Sequence, residues 1–200
     1  MKILSLVPVS AANDPVLVFE AFGSHGTCMS RAVAITQSGF SLSASGRRGP
    51  GAYFWHAETD RCPYAGSLAE AWYNFAFRRN EFRDESDPAG AVIWGKVNAP
   101  DTEVLNLETP GFRSVLRQAL EFHWSTIKEH SDKEALVSSV HEMLIRRAEA
   151  KHPVSLVLAT VQQPNKMSDE MAGYVGQPFA IIIRKLSCLE LDGTIEGIPA

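Results

Sequence analysis

Cysteine is scarce in this chain of 200 residues: Cys28, Cys62 and Cys188 are odd in number and show no Cys-x-x-Cys spacing. Neither a disulfide framework nor a cysteine zinc site is expected, and a reducing, cytoplasmic setting fits best. Histidine offers no metal pattern either. His56, His123, His130, His141 and His152 lack a His-Glu-x-x-His arrangement, so they read as structural or solvent-exposed residues and no metal is expected. No apolar run approaches the length of a membrane span, and no membrane partner is expected. Lys2 followed by Ile3 to Val9 superficially resembles a signal peptide, but the stretch is short and contains Pro8, so secretion is not expected. An excess of positive charge is also missing. The net charge of −4 argues against a chain held on nucleic acid by bulk electrostatics and leaves local basic patches for such contact.

What is present is a single-domain length with 45% hydrophobic residues, ample for one core. Val16 to Phe19 reads as a buried strand and Ala32 to Phe40 as a helix, and the Ser- and Gly-rich stretch Ser41 to Gly51 reads as a surface loop. Gly49 to Trp55 reads as a second strand. From Ser67 to Phe82, Leu68, Trp72, Phe75 and Ala76 recur at helical spacing. Arg83 to Gly90 reads as a turn, with strands at Ala91 to Val97 and Glu103 to Leu107. Pro110 opens a helix to about His130, and Ser131 with Glu134 makes a capping box for another that ends near Lys151. The β-branched runs Val154 to Val161 and Phe179 to Leu186 read as buried strands.

The chemistry-bearing residues are concentrated in the first third. His25-Gly26-Thr27 reads as a turn after the first strand; Gly51-Ala52-Tyr53-Phe54 follows, and Tyr64 lies eleven residues beyond Tyr53. Aromatic faces and main-chain amides are what a planar, cationic nicotinamide ring requires. These motifs, in this order, together with Ala91 to Val97 as a later "Gly-x-Val" strand, resemble the poly-ADP-ribose polymerase-like (His-Tyr-Glu) ADP-ribosyltransferases over roughly the first half of the chain. The resemblance implies an α+β fold: one catalytic domain over residues 1–200, with a split β-sheet core, flanking helices and a helical insertion at about 110–151. It implies NAD as co-substrate. His25 would fix the adenosine ribose, Gly26 would read the carboxamide, Tyr53 and Tyr64 would flank the ring, and Thr27 would touch the nicotinamide ribose. Arg47 and Arg48 would face the pyrophosphate, or serve as solvated loop charges.

Cleavage of the bond from nicotinamide to ribose develops oxocarbenium character, which the family's glutamate stabilises. Gln177 stands nearest to that position, at the start of the last buried strand, and carries no charge. Glu170 or Asp169 on the preceding loop, or the acceptor itself, is left to supply a carboxylate. Arg61 stands where the family commonly has a serine. The resemblance therefore implies a mono-ADP-ribosyltransferase, an intracellular toxin or defence effector whose acceptor is RNA, DNA or protein, with an antitoxin as a further partner. Arg78, Arg79 and Arg83 serve RNA contact or the end of a helix dipole equally well. Two alternatives remain: a catalytically silent NAD- or ADP-ribose-binding module, and an enzyme like the transfer-RNA 2′-phosphotransferase.

Overall fold

Runs of β-branched and aromatic residues build one mixed seven-stranded sheet in the computed structural model, which describes residues 17–43, 46–164 and 176–199. The strands are β1 (Val18–Cys28), β2 (Ala52–Ala57), β3 (Gly90–Pro100), β4 (Val104–Asn106), β5 (Leu156–Thr160), β6 (Phe179–Ile183) and β7 (Leu189–Gly197), in the spatial order β4-β5-β6-β2-β1-β3-β7. All pairings are antiparallel except β4 with β5. Four helices accompany it: α1 (Met29–Ser38), α2 (Pro63–Arg78), α3 (Pro110–Glu129) and α4 (Lys133–Glu149). The chain is thus α+β, with α3 and α4 both falling between β4 and β5. No helix among the described residues is long and apolar enough to cross a membrane.

Period-two alternation along the strands divides the core into two layers. On one face, Ala57, Val92 and Trp94 receive Ala65 and Ala69 of α2, while Val157, Ala159 and Ile182 receive Ile145 of α4. On the other face, Ala32 of α1 covers Ala91 and Ile93, and a second cluster gathers Ala21, Phe54, Val97, Leu156, Ile181 and Ile183. Helices α2 and α4 therefore share a face, and Tyr53 and Trp55 point toward it.

Several local readings differ from the sequence expectation. His25-Gly26-Thr27 is not a turn: β1 runs through it, paired with β3 as far as Cys28↔Gly90. Gly26 serves helix packing instead, because a β-carbon there would lie 2.6 Å from the carbonyl carbon of Ala69. Helix α2 begins earlier than expected, with Pro63 at its first turn, which suits a residue without an N–H. The N-cap of α4 is Asp132, which accepts from the Ala135 N–H at 2.9 Å, rather than Ser131; Glu134 is turned to Arg47. Strand β7 was not anticipated, since Leu189, Leu191 and Ile195 are too widely interrupted by acidic residues and Gly193 to read as a core strand.

Candidate functional site

Strands β1 and β2 pair only over Phe22↔Ala57, Gly23↔His56 and Ser24↔Trp55. Beyond Ser24 they part: β1 stays with β3, and Ala52, Tyr53 and Phe54 stay with β6. The sheet is forked at His25. Its Nδ1–H donates to the Tyr53 carbonyl at 2.8 Å, spanning the first position at which strand pairing has failed. A carbonyl only accepts, so this bond fixes the tautomer and leaves Nε2 as a bare acceptor. Among the described residues Nε2 has no hydrogen-bond partner in its own right, while the ring as a whole is largely withdrawn from solvent. The ring is held at the edge of Phe40, with centroids 5.0 Å apart, and tilted against Phe54 at 5.6 Å. Burial lowers its pKa below the usual 6.5, against a smaller opposing effect of the Tyr53 bond, and keeps the imidazole neutral at neutral pH. Thr27, buried, follows on the same face; among the described residues Gly26 and Thr27 have no strand partner on the β2 side.

The Tyr53 side chain leaves β2 on the opposite face from His25. Its hydroxyl donates to the Gly49 carbonyl at 2.7 Å and accepts from the Arg48 N–H at 3.0 Å. Burial pushes its pKa up to about 12, so it remains a donor. The loop that holds it is itself stapled to one stripe of α4. Arg47 pairs with Glu134, Ser138 Oγ donates to the Gly46 carbonyl at 2.5 Å, and Arg48 Nη1 donates to His141 Nε2 at 3.0 Å. Residues 134, 138 and 141 lie at the three- and four-residue intervals that share a helix face. Arg48 Nε also donates to the Thr160 carbonyl at 3.3 Å, and His141 Nδ1–H donates to the Val137 carbonyl at 2.9 Å. The two arginines therefore turn toward α4 and the end of β5. His25, on the far face of the sheet, is not their partner.

Tyr64 sits in the first turn of α2, 40% exposed. Its position relative to the fork is fixed by Ser24, immediately before His25, whose buried hydroxyl donates to the Ala65 carbonyl at 2.6 Å. Tyr64 and Tyr53 thus stand on the same face of the sheet. The phenol oxygen of Tyr64 accepts from Gln163 Nε2 at 3.0 Å, and the Gln163 N–H donates to Gln177 Oε1 at 3.2 Å. Gln177 is joined to the second tyrosine through one residue, Gln163, by its main-chain and side-chain amides in turn. Glu170 and Asp169 lie outside the described residues. Arg61, with φ of 55°, turns away to Asp192 and Glu196 of β7 and stacks 5.5 Å over the Trp94 ring.

No family model, curated protein or solved structure matches this chain.

Three residues of this constellation carry no expectation from the sequence, Ser24, Gln163 and Ser138, and His141, expected to be structural or solvent-exposed, is buried. Gln163 and Ser24 carry no local signal, because their partners lie 99 and 41 residues away. Glu134, Ser138 and His141 do share one helical stripe, and polar residues at that spacing on an otherwise apolar face are a readable sign of a docked loop. Of the remaining histidines, His56 is half-buried at the end of β2, and His123, His130 and His152 are exposed. Arg78, Arg79 and Arg83 lie exposed around the end of α2, with Arg79 stacked 5.3 Å over Phe75. Among the described residues, no three His, Cys, Asp or Glu side chains stand close enough to share a metal ion.

Proposed function

We propose that this chain is an NAD-dependent mono-ADP-ribosyltransferase with an ADP-ribosyltransferase-like split sheet, working in the cytoplasm as a toxin or defence effector. The observation that carries the reading is the fork at His25. A neutral imidazole, locked by the Tyr53 carbonyl, presents Nε2 as the acceptor that a ribose hydroxyl needs. The unpaired strand edge at Gly26 and Thr27 offers main-chain groups for the carboxamide. Tyr53, packed against Ile145, Val157 and Ile182, and the exposed Tyr64 share the face opposite His25; in this reading NAD passes through the fork and they would flank its planar ring, where stacking on a cation is worth about 0.5–2 kcal/mol per aromatic face. Thr27, next on the strand, would meet the nicotinamide ribose.

Bound NAD would supply the ADP-ribosyl group: the bond from nicotinamide to the anomeric carbon breaks, one to the acceptor's nucleophile forms, and the acceptor loses a proton. Gln177, reached from Tyr64 through Gln163, has the length to hydrogen-bond a ribose hydroxyl without the charge that chain elongation uses. A single ADP-ribose per acceptor site is the expected product. Glu170 or Asp169 would provide any carboxylate.

The test is to incubate the purified chain with labelled NAD and whole-cell lysate, then digest separately with RNase, DNase and protease. Label that one treatment releases names the acceptor class, and product mass should correspond to one unit. A ladder of units contradicts mono-transfer. A second reading, an NAD- or ADP-ribose-binding module without turnover, is favoured by one observation: the bonded set Tyr64, Gln163 and Gln177 holds no carboxylate among the described residues. NAD binding without nicotinamide release would select it.

A further inference from the structure

Outside the fork, a cation-rich surface lies where the loop at Arg47 and Arg48 meets α3 and α4. A cleft of about 280 Å³ opens there, lined by Arg47, Arg48, Lys133, Glu134, Trp124 and Gln162 among others. A second groove of about 350 Å³ runs along α3 past Arg113, Arg117 and Glu121, and Trp124 is common to both. Five cations line this track in a chain whose net charge is −4; Arg47 pairs with Glu134, Arg113 with Glu108 and Arg117 with Glu121, the last an exposed and therefore weak pair that leaves the Arg117 guanidinium open to an anion. Arg48 is not a loose surface charge. Its Nε and Nη1 are committed to Thr160 and His141, which sets the guanidinium in one orientation and leaves Nη2 without a partner among the described residues. Lys133 forms no ion pair among the described residues, and the indole of Trp124 is 53% exposed between the two groups of cations.

We propose that this track binds single-stranded nucleic acid, with phosphates on Arg48, Lys133 and Arg117 and a base stacked on Trp124. The form of the clefts argues for a polymer. The two clefts meet at Trp124, which lines both, so a ligand that fills them together is extended and places successive units along α3 and beside Arg48. Alternation of cations with an exposed aromatic face is the composition that follows a sugar-phosphate backbone while stacking its bases. An acidic peptide would use the cations but has no use for the indole. A duplex would satisfy the cations but keeps its base faces closed. The inference rests on the transferase reading for one point only, the role of the track as the acceptor subsite. Its location supports that role, because Gln162 adjoins Gln163, the partner of Tyr64, and the Arg48 N–H bonds the Tyr53 hydroxyl.

The experiment is fluorescence anisotropy of end-labelled 12-nucleotide single-stranded RNA and DNA, the matching duplex and a polyglutamate peptide, titrated with the full chain in the absence of NAD. With about three phosphates neutralised on a single strand, affinity should fall by about 20-fold between 50 and 200 mM salt. Trp124→Ala should weaken binding at least about fivefold and Trp124→Phe should recover most of it, as loss and return of a stacking face. Lys133→Glu should weaken binding about tenfold and flatten the salt dependence. Both positions are exposed, so the melting temperature should hold in each variant. Binding that ignores Trp124→Ala, equal affinity for the duplex, or tighter binding of polyglutamate overturns the proposal. Oligonucleotide binding as described with no nicotinamide release would defeat the transferase reading alone; nicotinamide release with no oligonucleotide binding would defeat this one alone.

Discussion

Gly26→Ala tests the geometry on which the site depends. The added methyl would sit 2.6 Å from the carbonyl carbon of Ala69 and nearer still to its oxygen, against 3.4–4 Å for ordinary contact. The obstacle is helix main chain, which cannot rotate away as a side chain can. Helix α2 must therefore retreat from β1 by about an ångström, and the Ser24 bond to Ala65 stretches with it. Overpacking against adaptable side chains costs about 1–3 kcal/mol, and a main-chain clash belongs at the upper end, ~3 kcal/mol. For a domain of this length each kcal/mol lowers the melting temperature by about 2–4 °C, so a fall of ~6–12 °C is expected in a thermal melt. Because Tyr64 rides on the first turn of α2, the Michaelis constant for NAD should rise in the same variant. Gly111→Ala is the matched control: nothing lies within 4 Å of its added methyl, and helix propensity favours alanine by up to ~1 kcal/mol. A Gly26→Ala melt within about 2 °C of the parent would refute the packing of α2 on β1 and, with it, the position given to Tyr64.

Tyr53→Phe removes a donor to Gly49 and an acceptor for the Arg48 N–H, a loss of about 1–2 kcal/mol. Amide exchange at Arg48 should accelerate, and unchanged exchange would show that the hydroxyl does not hold the loop. Burial depresses His25 and His141 below 6.5, so the unfolded chain takes up protons that the folded chain refuses. Stability should be complete above pH 6.5 and decline as pH falls through the folded values. Melts from pH 7.5 to 5 check this, and a rise in stability toward acid would contradict it. Arg61→Ala strips β7 of its pairs at Asp192 and Glu196 and of the stacked contact on Trp94, about 1–2 kcal/mol in all, because partly exposed pairs are weak. Faster exchange confined to β7 and β3 is expected, and exchange unchanged there would assign Arg61 no structural role.

Elements whose signals are local were legible in the sequence, and those made by distant partners were not. The continuous apolar runs at Leu156–Thr160 and Phe179–Ile183 announce buried strands whatever surrounds them, and the α3 and α4 boundaries follow from Pro110 and a polar cap. Strand β7 escaped because an edge strand with one exposed face needs few apolar residues. His-Gly-Thr reads as a turn by its resemblance to the family motif, yet Gly26 lies within β1 and is present so that a helix can approach. The site divides in the same way. His25, Tyr53 and Tyr64 stand out by residue type and interval, whereas the turn of Arg47 and Arg48 toward Glu134 and His141, 87 and 93 residues later, depends on how α4 docks. The link from Gln177 through Gln163 to Tyr64 likewise exists only once two loops meet.

The most direct measurement is nicotinamide released from NAD by the purified chain, alone and with single-stranded RNA, compared with His25→Ala. The account predicts release that grows with time and falls to the uncatalysed rate in His25→Ala while the cooperative melt is retained. No release above the uncatalysed rate from the parent chain, or equal release from His25→Ala, would contradict it.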